Sequence, residues 1–267
     1  MSFWTKFKQA TQLHNSYVCI GLDSDKTRIP KILKSEKNPI WQFNKEIIDA
    51  TKNKVAAYKM NYAFYVSAGN KGIDALYRTL GHIPNYIPKI IDAKVGDIAN
   101  TMTHYAKGFF EELSADALTV NPLMGSDVFK PFKSFKENMI FVLTLTSNAS
   151  ASEILGKNNL YKEIAKKLSK MSYQNVGAVV GATNGKELKE IRELMPKTVF
   201  LIPGIGAQGG DLNNVIQNGI CSKKDPRILI NSSRGIIFAG DSEDFANDAL
   251  NATEKLRSEI NNALDLY

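Results

Sequence analysis

The chain has 267 residues, which at about 150 residues per domain leaves room for one or two domains. Its composition, 43% hydrophobic and 23% charged with 18 Gly and 9 Pro, allows a sizeable core and excludes disordered, collagen-like and low-complexity classes. The 34 Lys and Arg against 27 Asp and Glu give a net charge of +7. The basic residues are scattered (Lys31, Lys34, Lys37; Lys166, Lys167, Lys170; Lys223, Lys224), which favours solvated helix faces and small anionic ligands over a nucleic-acid stripe.

At the N-terminus, Trp4 and Phe7 mark a helical segment, with no apolar core of the secretory kind. No apolar run of about 18 residues occurs anywhere. A cytoplasmic protein without membrane or nucleic-acid partners is therefore expected. The two cysteines, Cys19 and Cys221, allow at most one disulfide and fit a reducing compartment.

Eight β-rich runs follow: Tyr17 to Leu22, Val55 to Met60, Lys89 to Lys94, Ala117 to Asn121, Met139 to Leu145, Val176 to Gly181, Thr198 to Pro203 and Arg227 to Asn231. Helical spacing fills most intervals, over 43–52, 70–80, 100–113, 158–171, 186–195 and 211–219, and again after the last run over 243–266. Near-continuous apolar strands joined by crossover helices imply a buried parallel sheet. Eight such units favour a closed (β/α)₈ TIM barrel, an α/β fold of about 250 residues. No linker interrupts the chain, so residues 1–267 are read as one domain with an N-terminal helical segment.

Barrels of this kind carry their chemistry at the C-terminal ends of the strands. Those ends hold Asp23, Lys59, Asn61, Asp92, Lys94, Asn121, Thr146, Ser147, Gln208, Ser233 and Arg234. Asp92 and Lys94 stand two apart on a strand and so share a face, although periodicity leaves open whether that face is the interior. A buried structural ion pair is the bland reading, and a weak one for stability; the strand-end position favours function. Lys59 on the adjacent strand and Asp97 just beyond the third complete a Lys/Asp/Lys/Asp array. Carboxylates beside a lysine favour its ammonium form. Such an array can repel a substrate carboxylate, stabilise a carbanion and then protonate it.

Two further signals point to phosphate. The Gly-rich run Pro203 to Asp211 follows the seventh strand, and Asn231 to Ile236 closes the eighth, where barrels frequently bind phosphate through backbone N–H groups and a helix N-terminus. Arg234 adds a forked donor and Gln208 an amide. The spacing of Gly204, Gly206 and Gly209 also fits a dinucleotide fingerprint, but on the seventh strand rather than the first. His14, His82 and His104 show no metal-ligand spacing, so no metal site is expected.

These motifs, in the order Gly21 to Asp25, Asp92 to Ile98, Thr146 to Asn148, Pro203 to Asp211 and Ser232 to Ile236, resemble the orotidine 5'-phosphate decarboxylase family, in the longer form common in bacteria. The resemblance covers nearly the whole chain. It implies a homodimeric, cofactor-free carboxy-lyase acting on orotidine 5'-monophosphate in UMP biosynthesis. By the same resemblance Asp23 bonds the ribose hydroxyls, Lys59 bridges ribose and array, Asp92 faces the substrate carboxylate, and Lys94 protonates C6. Asp97 would be donated across a dimer interface, with Ile98 and Thr101 lining the partner's site. Ser147 would touch the pyrimidine, while Pro203, Gln208, Arg234 and Gly235 would hold pyrimidine and phosphate. Val95 and Met60 depart from the residues common in the family, Arg and Pro. Relatives that reuse the third-strand motif on sugar phosphates require magnesium, so a chelator separates the two activities.

Overall fold

Helix α1 (Phe3–His14) begins at Ser2, whose hydroxyl accepts the Thr5 N–H. The structure, a computed structural model, describes residues 1–171, 175–205 and 210–267. Eight strands follow α1: β1 (Val18–Gly21), β2 (Ala57–Asn61), β3 (Lys89–Val95), β4 (Ala117–Val120), β5 (Met139–Leu145), β6 (Val176–Val180), β7 (Phe200–Pro203) and β8 (Ile228–Ser232). Each pairs in parallel with the next, and β8 pairs with β1, closing a (β/α)₈ barrel. Every strand lies on one of the eight runs expected from the sequence.

The crossovers carry α2 (Pro39–Thr51), α3 (Tyr62–Val66), α4 (Gly69–His82), α5 (Ala99–Lys107), α6 (Ala151–Ile154), α7 (Leu160–Ser169), α8 (Gly185–Leu194) and α9 (Leu212–Gly219); α10 (Arg234–Ile237) and α11 (Phe245–Leu266) end the chain. The helix expected over 100–113 is shorter, because the chain widens into one π-helical turn at Gly108–Glu112 that buries Phe109 and Phe110. Between β4 and β5 two 3₁₀ segments, Gly125–Val128 and Lys130–Ser134, take the place of a crossover helix.

Period-two alternation splits the strand residues between two cores. Val18, Ile20, Tyr58, Met60, Ile91 and Leu118 face outward onto helical residues such as Ile47 and Leu76. Cys19, Ala57, Ile90, Ala117, Phe141, Val179, Leu201 and Leu229 fill the lumen. The Phe141 ring occupies space that a side chain on β6 would need: a Cβ at Gly177 would lie 2.5 Å from its Cδ1. From below, α1 plugs the barrel. Phe3 meets Phe141 edge-on at 5.6 Å, and its N–H donates to the Glu137 carbonyl. Lys6 Nζ lies 2.6 Å from Asp116 Oδ1, while Asp116 Oδ2 accepts the Lys89 N–H. With its lower end sealed by aromatic rings, the barrel presents polar groups at the upper end, where the loops leave the strands. Because Phe3 is 1% exposed and shared between helix and lumen, Phe3→Ala is expected to cost about 3 kcal/mol, measured as a lower urea midpoint with an unchanged denaturant slope.

Candidate active site

At the upper end of the barrel the first three strands converge on one buried ammonium. Lys59 on β2 is 4% exposed, and its Nζ lies 3.4 Å from Asp23 Oδ1 and 3.2 Å from Asp92 Oδ2. Lys94 Nζ donates to Asp92 Oδ1 at 2.7 Å. Asp23, Lys59, Asp92 and Lys94 thus form one continuous chain of ion pairs across adjacent strands.

The third strand reaches this geometry by departing from regularity. Ile91 pairs with Leu118 but Val95 pairs with Val120, so Asp92, Ala93 and Lys94 bulge opposite the single residue Thr119. Lys94 takes a left-handed φ of 49°, a conformation that costs roughly 1–2 kcal/mol for a side-chain-bearing residue. The equal-face expectation for Asp92 and Lys94 assumed a flat strand. Their side chains meet instead through the bulge, a common device for re-aiming side chains at sites.

Asp23 is held from behind. Beyond β1 the Leu22 N–H donates to the Lys59 carbonyl, and the Leu22 carbonyl accepts the Tyr65 hydroxyl at 2.8 Å. Asn44 on α2 is fully buried; it accepts from the Ser24 hydroxyl and donates to Tyr65 and Thr79. Three helices therefore pin the residues on both sides of Asp23.

Burial opposes the charge on Lys59, but Asp23 and Asp92 outweigh it and hold the ammonium well above the ordinary lysine range. Burial likewise pushes Asp92 upward, yet Lys59, Lys94 and the Thr119 hydroxyl bring it far below the usual carboxylate range. Beneath them burial pushes the Cys19 thiol up to about 12, against the pull of Lys59. Cys19 is thus a neutral lumen filler rather than a nucleophile.

Asp97 stays outside this chain of ion pairs. Its Oδ1 accepts the adjacent Ile98 N–H at 2.7 Å, and Ile98 is 52% exposed, with Thr101 exposed on α5. Ser147 follows β5 and lies across the end of β6, where a Cβ at Gly181 would come within 2.6 Å of its Cα. It lines a cavity of about 640 Å³ with Asn148, Thr183 and Glu187, and no hydrogen bond joins it to the array among the described residues.

On the far side, Pro203 ends β7 in register with Asn231. Gly204 has a φ of 105°, and the Gly210 N–H donates to its carbonyl at 3.0 Å, drawing in the neck of the Gly-rich loop. Gln208 lies outside the described residues. At the start of α9, Asp211 caps the helix by accepting from the N–H groups of Asn213 and Asn214. Among the described residues, the turn after β8 exposes Arg234 and Gly235. Thr119 and Asn44 escaped the sequence reading, although a hydroxyl inside an apolar strand and an amide on an apolar helix face were visible signals.

Fold and site together define a (β/α)₈-barrel enzyme whose charged residues stand at the C-terminal mouth. The family model described as Orotidine 5'-phosphate decarboxylase / HUMPS family matches residues 16–249, and the chain belongs to that family. It is 43% identical to the orotidine 5'-phosphate decarboxylase of Dehalococcoides mccartyi, over 98% of both chains. With the enzyme of that name from Leptospira interrogans it shares 41% identity over 96% of this chain and 94% of that one. The solved structure of Leishmania donovani OMP decarboxylase superposes with a TM-score of 0.85 at 33% identity, covering 99% of each chain. That of Leishmania donovani UMP synthase gives 0.88 at 34% identity, covering 99% of this chain and 57% of the other.

The depressed Asp92 has a signed consequence for stability. Its ionised form contributes fully above the ordinary carboxylate value, about pH 4, and that contribution is lost as pH falls toward the lower folded value. The unfolding free-energy difference between wild type and Asp92→Asn, from urea titrations, should therefore be constant near neutrality and shrink progressively below about pH 4.

Proposed function

We propose that the protein converts orotidine 5'-monophosphate to UMP and CO₂ in pyrimidine biosynthesis, without metal or organic cofactor. The observation that carries this reading is the order of groups around the barrel mouth. Arg234 follows β8, Asp23 follows β1, and Lys59, Asp92 and Lys94 stand on β2 and β3. That order corresponds to phosphate, ribose and base in a nucleotide. The full-length relatives named orotidine 5'-phosphate decarboxylase support the same substrate.

In this reading Asp23 bonds the ribose hydroxyls and Lys59 bridges ribose and array. The substrate carboxylate sits against Asp92, so the ground state loses its ionic repulsion as CO₂ forms. The bond from C6 to the carboxylate breaks, its electron pair remains on C6, and CO₂ departs. The Lys94 ammonium then gives its proton to C6 and is reprotonated from solvent. No electron sink is needed if preorganised charge stabilises the carbanion. Pro203, Gln208, Arg234 and Gly235 hold pyrimidine and phosphate, and Ser147 contacts the pyrimidine. Binding energy from the remote phosphate then serves to order the array at the base.

The site is completed by a second copy of the chain, with the partner subunit's Asp97 joining the array and Ile98 and Thr101 alongside it. In its own chain Asp97 touches none of the four charges. Val66, Ile98, Tyr105, Leu123 and Met124, all exposed, follow β2, β3 and β4, and apolar side chains exposed on consecutive connections support association there. The chain functions as one domain, its barrel strands running from residue 18 to 232. No helix among the described residues is long and apolar enough to cross a membrane, and a cytoplasmic site of action suits a nucleotide substrate.

Purified protein should discharge the orotate absorbance of orotidine 5'-monophosphate in the presence of chelator; an unchanged spectrum would refute the reading. Lys94→Ala should lower kcat by roughly 10²- to 10⁴-fold with its fold intact by circular dichroism. Co-expressed Lys94→Ala and Asp97→Ala chains, each inactive alone, should regain about a quarter of wild-type activity, because half the dimers carry one intact site under two-fold symmetry. Absence of regain would exclude a shared site.

A further inference from the structure

We infer that Thr119 is a positioning residue for the reaction proposed above: its hydroxyl fixes the Asp92 carboxylate and the Lys94 main chain relative to each other. The inference rests on that reading of the site. Thr119 lies on β4, 1% exposed, between the apolar neighbours Leu118 and Val120. It points into the lumen, on the side of its strand that Ala117 also occupies, where a filler such as Val would satisfy packing alone.

Its hydroxyl has one proton and two lone pairs, and the structure uses both functions. The proton goes to Asp92 Oδ1 at 2.8 Å, and a lone pair accepts the Lys94 N–H at 2.9 Å. Thr119 is the residue opposite the bulge, so the Lys94 N–H lacks the carbonyl partner a regular ladder would offer. The hydroxyl takes the place of that carbonyl. Beyond it the ladder resumes, with the Asn121 N–H donating to the Val95 carbonyl at 2.8 Å.

The consequence is a carboxylate held on both oxygens. Oδ2 receives Lys59, and Oδ1 receives Lys94 Nζ together with Thr119. Lys94 loses its positive charge when it hands a proton to C6, and its ion pair with Asp92 then weakens. Thr119 contributes a hydrogen bond to Asp92 that does not move with the lysine, so the carboxylate keeps its aim while the proton is delivered. It also anchors the left-handed main chain from which Lys94 reaches. Thr119 itself need touch no reacting atom.

The test compares Thr119→Val, Thr119→Ala and Thr119→Ser by kcat and KM for orotidine 5'-monophosphate, by UMP affinity and by thermal midpoint. Val and Ala should lose about 10- to 100-fold in kcat, the scale of a small misplacement of reacting groups. UMP affinity should be unchanged, since the product carries no carboxylate and its phosphate is held elsewhere. Ser keeps the hydroxyl and should restore kcat to near the wild-type value. Wild-type kcat in Val and Ala overturns the inference, as does a Ser variant as impaired as Ala, which would assign the effect to the methyl group and packing. If Val does not fold, the comparison of Ala with Ser decides. An inactive wild type refutes the decarboxylase reading and this inference with it, whereas an active wild type with an equally active Ala variant refutes this inference alone.

Discussion

The architecture of the upper barrel turns on one ammonium placed where water cannot reach it. Lys59 stands on the lumen face of β2, and removing its charge from water carries a penalty of several kcal/mol unless opposite charges replace the lost hydration. Asp23 and Asp92 do so from the two neighbouring strands. The parallel pairing of β1, β2 and β3 side by side brings these three groups within ion-pair distance. Each flanking carboxylate then has to be held in turn, which accounts for the buried Asn44 network behind Asp23 and for the Thr119 hydroxyl beside Asp92. Losing either partner would leave an uncompensated buried charge, a change that typically costs about 3–5 kcal/mol.

The two ends of the barrel divide stability from chemistry. Below, α1 seals the lumen with Phe3 and Phe7, and an ion pair between Lys6 and Asp116 ties the helix to the residue before β4. Above, space is kept by small residues. Gly21 leaves room for Ser233, whose Cβ would be 2.8 Å from a Cβ on β1, and Gly96 lets the chain after β3 pass Asn121. A dry, close-packed lower core gives the strands fixed positions, and the charges above inherit that rigidity. Preorganised electrostatics need such a frame, because dipoles and charges that must reorganise during a reaction stabilise its transition state less.

Much of this was legible before the fold was known. Short, near-continuous apolar runs bounded by turn residues located all eight strands, helical spacing filled most intervals between them, and their number pointed to barrel closure. The acid and base of the third strand, the lysine of the second and the Gly-rich loop after the seventh stood out because such residues have no ordinary use at the ends of buried strands. Periodicity misjudged the second half of β3 and the stretch after α5, where a bulge and a π-helical turn insert residues that regular repeats cannot register.

What the residues determined by themselves was thus the inventory: eight βα units, the charged groups and their places at strand ends. Tertiary structure decided which of them meet. The bulge opposite Thr119, the union of Asp23 with Lys59 across strands separated by more than thirty residues, and the capping of α9 by its own Asp211 all depend on register and close approach between distant segments. Local sequence carries propensity and period, whereas an ion pair or a shared hydroxyl depends on distances of a few ångströms that only the closed barrel sets.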